Sequence, residues 1–274
     1  MFIERSFVEA FVPRTNEPGR RVSSRLLDVL FTFRPGRSRL TLADLTRHTG
    51  MPHATVRRLA LDLVDAGALN RAPDGTFTVG IRLWELGTLA PLTAPLRTVA
   101  LPFMDDLHAA LRQHVQLAVL DGTEAVVVER LSAIEAVGLI SNVGGRLPLH
   151  SSGVGKVLLA HGGAELVDRV IERGLARHTA RTVIDPARLR RALADCRDTG
   201  VARVREETTP GVDSVATRVL NADGEVVAAL SVLVRTGSVD LRTVTPAVVA
   251  SGLAISRGLG WRPTAGVRYG AADP

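Results

Sequence analysis

The stretch TLADLTRHTGMPHATVRRLALDLVDAG, residues 41–67, contains two helical patterns separated by a glycine. Thr41 stands where a helix N-cap belongs, and Gly50 stands where a left-handed C-cap ends a helix. Pro52 occupies a position that a first helical turn accepts, and apolar residues then recur every three or four positions from Val56 to Val64. The stretch therefore predicts a helix, a tight turn and a second helix.

The flanking segments complete a small domain around this stretch. Upstream, apolar residues at helical spacing over 22–33 predict a helix capped by Ser23 or Ser24. Downstream, Pro73-Asp74-Gly75 separates two short strands, which is a hairpin signal. Three helices followed by a hairpin predict a winged helix-turn-helix over residues 19–80.

Positive charge is concentrated in the same part of the chain. The 274 residues carry a net charge of +6, with 34 basic and 28 acidic side chains, and every basic residue except Lys156 is arginine. Residues 14–58 hold ten arginines and three acidic residues. Such a concentration indicates a polyanionic partner, although a solvated arginine face has the same composition.

The second helix of a helix-turn-helix enters the major groove of DNA, so its first exposed residues are predicted to contact DNA. Arg57 is predicted to pair with a guanine edge, while Thr55 and Arg58 are predicted to hold the backbone. A basic face that binds another protein is the alternative, but the turn, the apolar stripe, the wing and the charge together favour double-stranded DNA. The predicted DNA-binding residues are Thr41, His53, Ala54, Thr55, Arg57, Arg58 and Arg71.

The rest of the chain has a different pattern. Residues 1–18 are predicted as an arm, 81–96 as a linker helix, 97–262 as an α+β domain and 263–274 as a tail. Helices packed on a largely antiparallel sheet define that fold class. Helices are predicted near 98–112, 164–174, 187–199 and 244–259; strands are predicted near 115–120, 125–130, 137–140, 201–206, 215–220 and 225–234.

Several classes of protein are excluded by the composition and spacing. The longest apolar stretch, Val226–Val234, is far shorter than the ~20 residues of a membrane helix. The single cysteine, Cys196, rules out an internal disulfide, and the seven histidines do not form a helical zinc-binding pair. Ser152 is one residue too far from Lys156 for a Ser-x-x-Lys dyad. We predict no catalytic residue, no metal and no cofactor, in a cytoplasmic protein with no membrane partner.

Four blocks, in order, resemble the IclR family of bacterial transcriptional regulators, and the match covers roughly residues 20–260. The first is LTLADLTRHTGMPHATVRRLALDLVDAGAL with the following FTVGIRLWELG, which resembles the family's winged helix and linker. The others are GGRLPLHSSGVGKVLLA, TVIDPARLRRALADCRDTGVARVREETTPGV and VATRVLNADGEVVAALSV, which resemble parts of its effector domain. The resemblance implies a winged-helix DNA reader joined to a GAF-like, small-molecule-binding α+β domain, acting as a homodimer or homotetramer.

The resemblance also implies an effector pocket, and the residues allow its chemistry to be considered. Gly153 and Gly155 stand at a predicted helix N-terminus, which favours an anion and lets a ligand approach the main chain. Substituting Gly153 by valine is therefore predicted to block the effector. By match to the family's motif, the effector-binding residues are Leu139, Leu147, Gly153, Val154, Val212, Ser214 and Ser231.

Two departures from the family's pattern affect this pocket. Ser214 stands where the family often has cysteine, and Val204 and Arg205 stand where acidic residues are common. Serine keeps a hydrogen-bond donor, and Arg205 is predicted to supply positive charge for a small carboxylate. For Ser214 and Ser231, a hydroxyl bonded within the sheet is the competing interpretation.

The sequence thus predicts a ligand-responsive transcriptional regulator. Two recognition helices of a dimer would read a palindromic operator about one DNA turn apart, ~34 Å, and a small organic acid would change operator affinity. Repression is the predicted direction of control. A constitutive DNA-binding protein without an effector and an enzyme on a GAF-like scaffold remain as alternatives.

Overall fold

The computed structural model describes residues 21–34, 36–89, 94–132 and 142–263. Contacts within the chain divide it into two units, Met1–Ala94 and Pro95–Pro274. The domain limits predicted from the sequence, including a linker over 81–96, stay predictions.

The first unit contains the predicted helices and wing. Its three-stranded antiparallel sheet has the order β1-β3-β2. The elements are α1 (Val22–Leu30), β1 (Arg39–Leu40), α2 (Leu42–Thr49), α3 (His53–Asp65), β2 (Leu69–Arg71), β3 (Phe77–Val79) and α4 (Ile81–Thr88). The prediction of a helix-turn-helix followed by a hairpin is confirmed.

One apolar cluster holds α1, α2, α3 and the wing together. The side chains that α3 buries come from the predicted stripe and include Val56, Leu59 and Leu63. They pack with Leu45 of α2 and Phe77 of β3. Because the opposite side of α3 is exposed, the core orients this helix with its polar face toward solvent.

The predicted caps of α1 are wrong. Arg21 occupies the N-cap of α1 and makes no side-chain cap, so Ser23 and Ser24 lie inside the first helical turn. An N-cap needs a backbone that is still extended, and here the chain becomes helical one residue before the first serine. The presence of serine residues was not enough to predict where the backbone changes from extended to helical.

The second unit is built on a six-stranded antiparallel sheet of order β6-β5-β4-β9-β8-β7. Its strands are β4 (His114–Asp121), β5 (Glu124–Leu131), β6 (Arg146–Pro148), β7 (Val201–Arg205), β8 (Val212–Leu220) and β9 (Val226–Arg235). Its helices are α5 (Ala94–Leu111), α6 (Gly153–His161), α7 (Ala164–Glu172), α8 (Pro186–Thr199) and α9 (Leu241–Gly258). The α+β prediction is confirmed.

Helices cover both faces of this sheet. The face with Ala118, Ala216 and Ala229 packs against α6, α7 and α8. The opposite face, with Leu117 and Leu230, packs against α5 and α9. Small side chains on the first face let α6 approach the strands closely, and this approach shapes the candidate effector site.

Element boundaries differ from the predictions in a few places. Helix α5 begins at Ala94 rather than near Thr98, and α9 begins at Leu241 after the capping residue Asp240. The strand predicted at 137–140 lies outside the described residues. Within the described part of the chain, no helix combines the length and apolarity that crossing a membrane requires.

Candidate DNA-binding helix and buried effector site

The turn before α3 is fixed by local hydrogen bonds. Thr41 caps α2 with a complete capping box, in which its hydroxyl accepts from the Asp44 N–H and the Asp44 carboxylate accepts from the Thr41 N–H. Gly50 ends α2 in the left-handed region at φ 64°, where a side chain is disfavoured. Pro52 is the N-cap of α3, one residue before the predicted first turn. These caps fix the residue at which α2 ends and the residue at which α3 begins.

Four of the residues predicted to contact DNA are exposed at the N-terminal end of α3. His53 and Arg57 are exposed and, four positions apart, lie on one face of the helix. Ala54 and Arg58 are exposed one position further round, while Thr55 is only half-buried. Residues that a major groove would meet are therefore grouped at one end of one helix.

The two arginines of α3 have different surroundings. Arg58 lies 3.5 Å from the Asp62 carboxylate, four residues along the helix, and both side chains are largely exposed. Within the described residues, Arg57 forms no ion pair. An exposed pair of this kind contributes little, so both guanidinium groups can turn toward an anionic partner. The assignments of Arg57 to a base and Arg58 to a phosphate stay predictions.

Thr41 and Arg71 occupy the flanks of this surface. The Thr41 hydroxyl also donates to Asp44 at 2.7 Å, so its hydrogen-bonding capacity is engaged within α2. Arg71 is exposed in the wing, and its guanidinium lies 6.0 Å from the centre of the Phe77 ring. A contact this long at an exposed site contributes little, and it leaves the N–H groups of Arg71 available for a phosphate.

Sequence reasoning did not select a histidine that lies among the arginines of this unit. The Arg37 guanidinium is 3.4 Å from His48 Nε2, at the end of α2. Partial burial, reinforced by the charges of Arg37 and Arg47, holds the pKa of His48 below its usual range. His48 is consequently neutral near pH 7 and adds no charge to the basic surface.

In the second unit, strand register brings polar side chains to one face of the sheet. Ser231 of β9 lies opposite both Ala216 of β8 and Gln116 of β4. Directly opposed residues project to the same face, and Ala216 belongs to the cluster beneath α6. Ser231, Ser214 and the buried Gln116 therefore face the α6 layer. Gln116 was missed, although alternation along β4 would have placed it there.

The structure buries every described member of the predicted effector set. Leu139 lies outside the described residues. Ser231 is fully buried, and its hydroxyl has no hydrogen-bond partner among the described residues. An unsatisfied buried hydroxyl costs roughly 1–3 kcal/mol, so a ligand atom that bonds to it would recover that energy. The buried residues are Leu147, Gly153, Val154, Val212, Ser214 and Ser231.

The two glycines at the start of α6 allow close packing against the sheet and the preceding turn, and the effector contact predicted at Gly153 stays a prediction. A Cβ on Gly153 would lie 2.7 Å from Ser214 Oγ and 3.3 Å from the Ala216 Cβ. A Cβ on Gly155 would meet Ser152 Oγ and the chain before α6. Protein atoms, rather than open space for a ligand, occupy these positions. Glycine is required here for close helix–sheet packing.

The prediction that Arg205 supplies positive charge to the pocket is wrong. Along β7, Ala202 and Val204 are buried, while Arg203 and Arg205 are exposed. Val204 lies opposite Ser214, so the pocket side of β7 is apolar at this level. Successive side chains of a strand point to opposite faces, which directs Arg205 away from the site.

The side chains that a catalytic site in the second unit would use are either engaged in structural hydrogen bonds or buried. The Ser152 hydroxyl donates to the Pro148 carbonyl at 2.7 Å and caps α6 by accepting from Gly155 N–H. Burial raises the pKa of the Cys196 thiol to about 11, which makes it a poor nucleophile. Lys156 donates to Glu207 in a buried ion pair. Among the described residues no His, Cys, Asp and Glu cluster has the makings of a metal site.

Comparison with known proteins identifies both units. The family model described as the IclR helix-turn-helix domain matches residues 24–73, and the model described as bacterial transcriptional regulator IclR C-terminal matches residues 92–257. The Escherichia coli K12 transcriptional regulator XynR is 31% identical over 86% of this chain and 96% of its own length. The transcriptional repressor AllR of Klebsiella pneumoniae is 31% identical over 70% of this chain and 71% of its own.

A solved structure extends the likeness over most of the chain. The crystal structure of an IclR homologue from Microbacterium hydrocarbonoxydans, complexed with 4-hydroxybenzoate, superposes with a TM-score of 0.83. The two proteins are 34% identical, and the match covers 87% of this chain and 99% of the other. The relatives are named as regulators, in agreement with the prediction that the chain is not an enzyme.

Proposed function

Since the chain belongs to the IclR family of bacterial transcriptional regulators, we propose that it reads a palindromic operator as a homodimer, or as a homotetramer built from two such dimers, and is switched by a small carboxylate. Family membership establishes the coarser function, a DNA-binding regulator with an effector-binding domain. The operator symmetry, the effector, the direction of control and a cytoplasmic location are the proposal's own content.

The observation that carries the DNA-binding part is the exposed leading end of α3. Arg57 and His53 share a solvent-facing side, while the opposite side of the helix is buried in the core. Arginine pairs with guanine through two hydrogen bonds, and a neighbouring arginine can neutralise a phosphate. Arg57 is accordingly assigned to a base edge and Arg58 to the backbone.

The apolar surface of α4 supports self-association. Trp84 and Ile81, three residues apart on one side of α4, are 65% and 62% exposed. Large apolar side chains grouped in this way are typical of a surface that another chain covers. A second copy paired here would place two recognition helices in symmetric positions, which a palindromic operator requires.

The effector part is supported by the buried hydroxyl of Ser231. Apolar walls with a few hydrogen-bond donors suit a small organic molecule that carries a polar group. The 34%-identical Microbacterium protein was crystallised with 4-hydroxybenzoate, and we propose an aromatic carboxylate of that size for this chain as well. Repression is proposed because AllR, a relative of 31% identity, is named a repressor.

A constitutive DNA-binding protein is the second candidate, favoured by the close packing of Gly153 on Ser214. Selection of bound sequences from a random DNA pool tests operator symmetry, and a palindromic consensus is expected. Thermal shift with 4-hydroxybenzoate and other small carboxylates then tests the effector. Stabilisation, together with weakened operator binding, supports the switch; a preferred operator with no response to any carboxylate selects the constitutive candidate.

A further inference from the structure

A buried ion pair joins α6 to the connection between β7 and β8. The side chains of Lys156 and Glu207 are only 5% and 10% exposed, and the ammonium donates directly to Glu207 Oε1. The two residues are 51 positions apart in sequence. This pair is therefore a long-range tie inside the second unit.

The same short connection is bound to two more segments. The second carboxylate oxygen of Glu207 accepts from the Val183 N–H at 3.2 Å, and its main-chain carbonyl accepts from the Thr182 hydroxyl at 2.7 Å. The next residue, Thr208, donates its hydroxyl to the Ser151 carbonyl at 2.8 Å. Residues 207 and 208 thus link the helix, the turn before it and the loop at 182–183.

These hydrogen bonds and the ion pair connect the two elements that line the predicted effector site, α6 and β8, which are called its walls below. Gly153 begins α6 two residues after Ser151, and Val212 begins β8 four residues after Thr208. The walls meet where Gly153 packs on Ser214. A shift of the 207–208 connection would move β8 relative to α6 and change the packing around Ser231, which lies opposite Ala216 of β8.

Lys156 is the only lysine among 34 basic residues, so its presence calls for a physical reason. A lysine carries a compact charge on a narrow stem, whereas the planar guanidinium of arginine needs a wider, two-pronged partner. The other oxygen of Glu207 also accepts from the Val183 N–H, so a two-pronged guanidinium would compete with that hydrogen bond. The compact ammonium of Lys156, which contacts Glu207 at Oε1, fits this arrangement.

We propose that Lys156 and Glu207 are positioning residues for the effector, because they hold the α6 and β8 walls at the separation that the ligand requires. This inference rests on the proposed function of the same site. An apolar pair of similar volume often matches a buried ion pair in stability, so stability alone does not explain charges at this place. Positional precision does, because the ion pair and its hydrogen bonds admit one geometry.

The test compares wild type with the double variant Lys156→Met/Glu207→Leu. We expect its melting temperature to fall by no more than about 10 °C, because the apolar pair replaces the ion pair but the Val183 N–H loses its acceptor. Affinity for 4-hydroxybenzoate, measured by calorimetry, should fall about tenfold or more, because the walls are no longer held in register. Operator affinity without ligand should be unchanged. The matched control Arg190→Met/Asp168→Leu removes an exposed ion pair of the same unit and should change none of these quantities.

A stable double variant that binds 4-hydroxybenzoate as wild type does would overturn the proposal. If the double variant does not fold, the single lysine offers a second measurement on wild type. Its ¹⁵N-labelled ammonium gives one NMR signal, which should shift when 4-hydroxybenzoate binds. Binding that leaves this signal unchanged also overturns the proposal.

Hydrogen exchange without ligand separates failure of this inference from failure of the proposed function. Faster exchange over residues 206–214 in the double variant, relative to wild type and the control, supports positioning of the β8 wall. If wild type binds no carboxylate, the proposed effector is wrong whatever the exchange shows. If exchange over 206–214 is unchanged, the positioning role is wrong even when wild type binds its ligand.

Discussion

The leading ends of α3 and α6 are built in opposite ways. Helix α3 buries four of its thirteen residues, and its first turn is exposed. Helix α6 buries eight of its nine residues, and its first residue packs directly on Ser214. The difference follows from composition, since α3 has one apolar stripe, whereas α6 is apolar or glycine on nearly every side.

This contrast separates two kinds of binding. A macromolecule as large as DNA can be met only by side chains that already project from the surface, as they do on α3. A small ligand beside α6 must be received among closely packed atoms, where every added group displaces another. Substitutions should therefore change affinity alone at the start of α3, and stability together with affinity at the start of α6.

The largest effect is expected from Gly153→Val. The new side chain would overlap Ser214 and Ala216, and overpacking of this kind costs about 3 kcal/mol of unfolding free energy. Chemical denaturation of the purified variant measures this loss. The prediction from the sequence was that this substitution blocks the effector, and the packing of Gly153 indicates that stability falls as well.

The exposed helix α4 supplies a control for this substitution. Gly87 has no heavy atom within 4 Å of where a Cβ would lie, so Gly87→Ala should stabilise the helix by about 0.5–1 kcal/mol. Unchanged stability in Gly153→Val would mean that α6 and β8 separate easily. That result would remove the distinction between a packed and an exposed helix end.

Arg57→Ala is expected to have the next largest effect, on operator binding alone. Losing a two-point contact with guanine should weaken the selected operator by about 2 kcal/mol and relax the preference at one base pair. Titration of operator and random duplexes at the same salt concentration measures both. Arg58→Ala is the matched comparison, because a phosphate contact weakens both duplexes equally; an equal loss with Arg57→Ala would assign that residue to the backbone too.

Thr41→Ala should destabilise the first unit by about 1 kcal/mol, because the capping box of α2 is lost. Thr41→Ser retains the hydroxyl and should melt as wild type does. If operator affinity falls in Thr41→Ala by no more than the loss of folded protein explains, the predicted DNA contact at Thr41 is wrong. A larger fall, absent in Thr41→Ser, would support that contact.

The same contrast explains how far the sequence allowed prediction. The turn around Gly50 and the stripe from Val56 to Leu63 were predictable, because glycine caps and apolar periodicity are local signals. At Gly153 the sequence shows only that a side chain is missing. A glycine that lets a ligand approach the main chain and a glycine that lets a strand pack against a helix look the same in sequence. Only the atoms that face the glycine in the folded protein distinguish the two.

Two further residues show where local signals were available or absent. Alternation along β7 would have directed Arg205 outward, since Ala202 and Val204 alternate with it. By contrast, the pairing of Lys156 with Glu207 depends on how two distant segments pack. The only sequence feature that pointed to this ion pair was the presence of a single lysine in an arginine-rich chain.

The smallest effect concerns two histidines, one in each unit. Burial is the first cause that lowers the pKa of both His48 and His150. For His48 the charges of Arg37 and Arg47 lower the pKa further. For His150 the charges of the buried pair act in opposite directions, Lys156 lowering the pKa and Glu207 raising it, and the hydrogen bond to the Ala176 carbonyl at 2.9 Å also raises it. Salt screens exposed charges far more than buried ones. Raising the salt concentration should therefore raise the pKa of His48 and leave that of His150 almost unchanged.

The direction of the pH effect follows from the lowered pKa values. As pH falls below about 6.5, the unfolded chain takes up protons at these histidines before the folded chain does, so stability declines. The decline ends once the pH is below the folded-state pKa values. NMR titration of the imidazole signals at about 0.05 M and 0.5 M salt measures both pKa values, since the Debye length falls severalfold over this range. Equal salt responses would show that the arginines do not act on His48, and the electrostatic difference between the two units would then be absent.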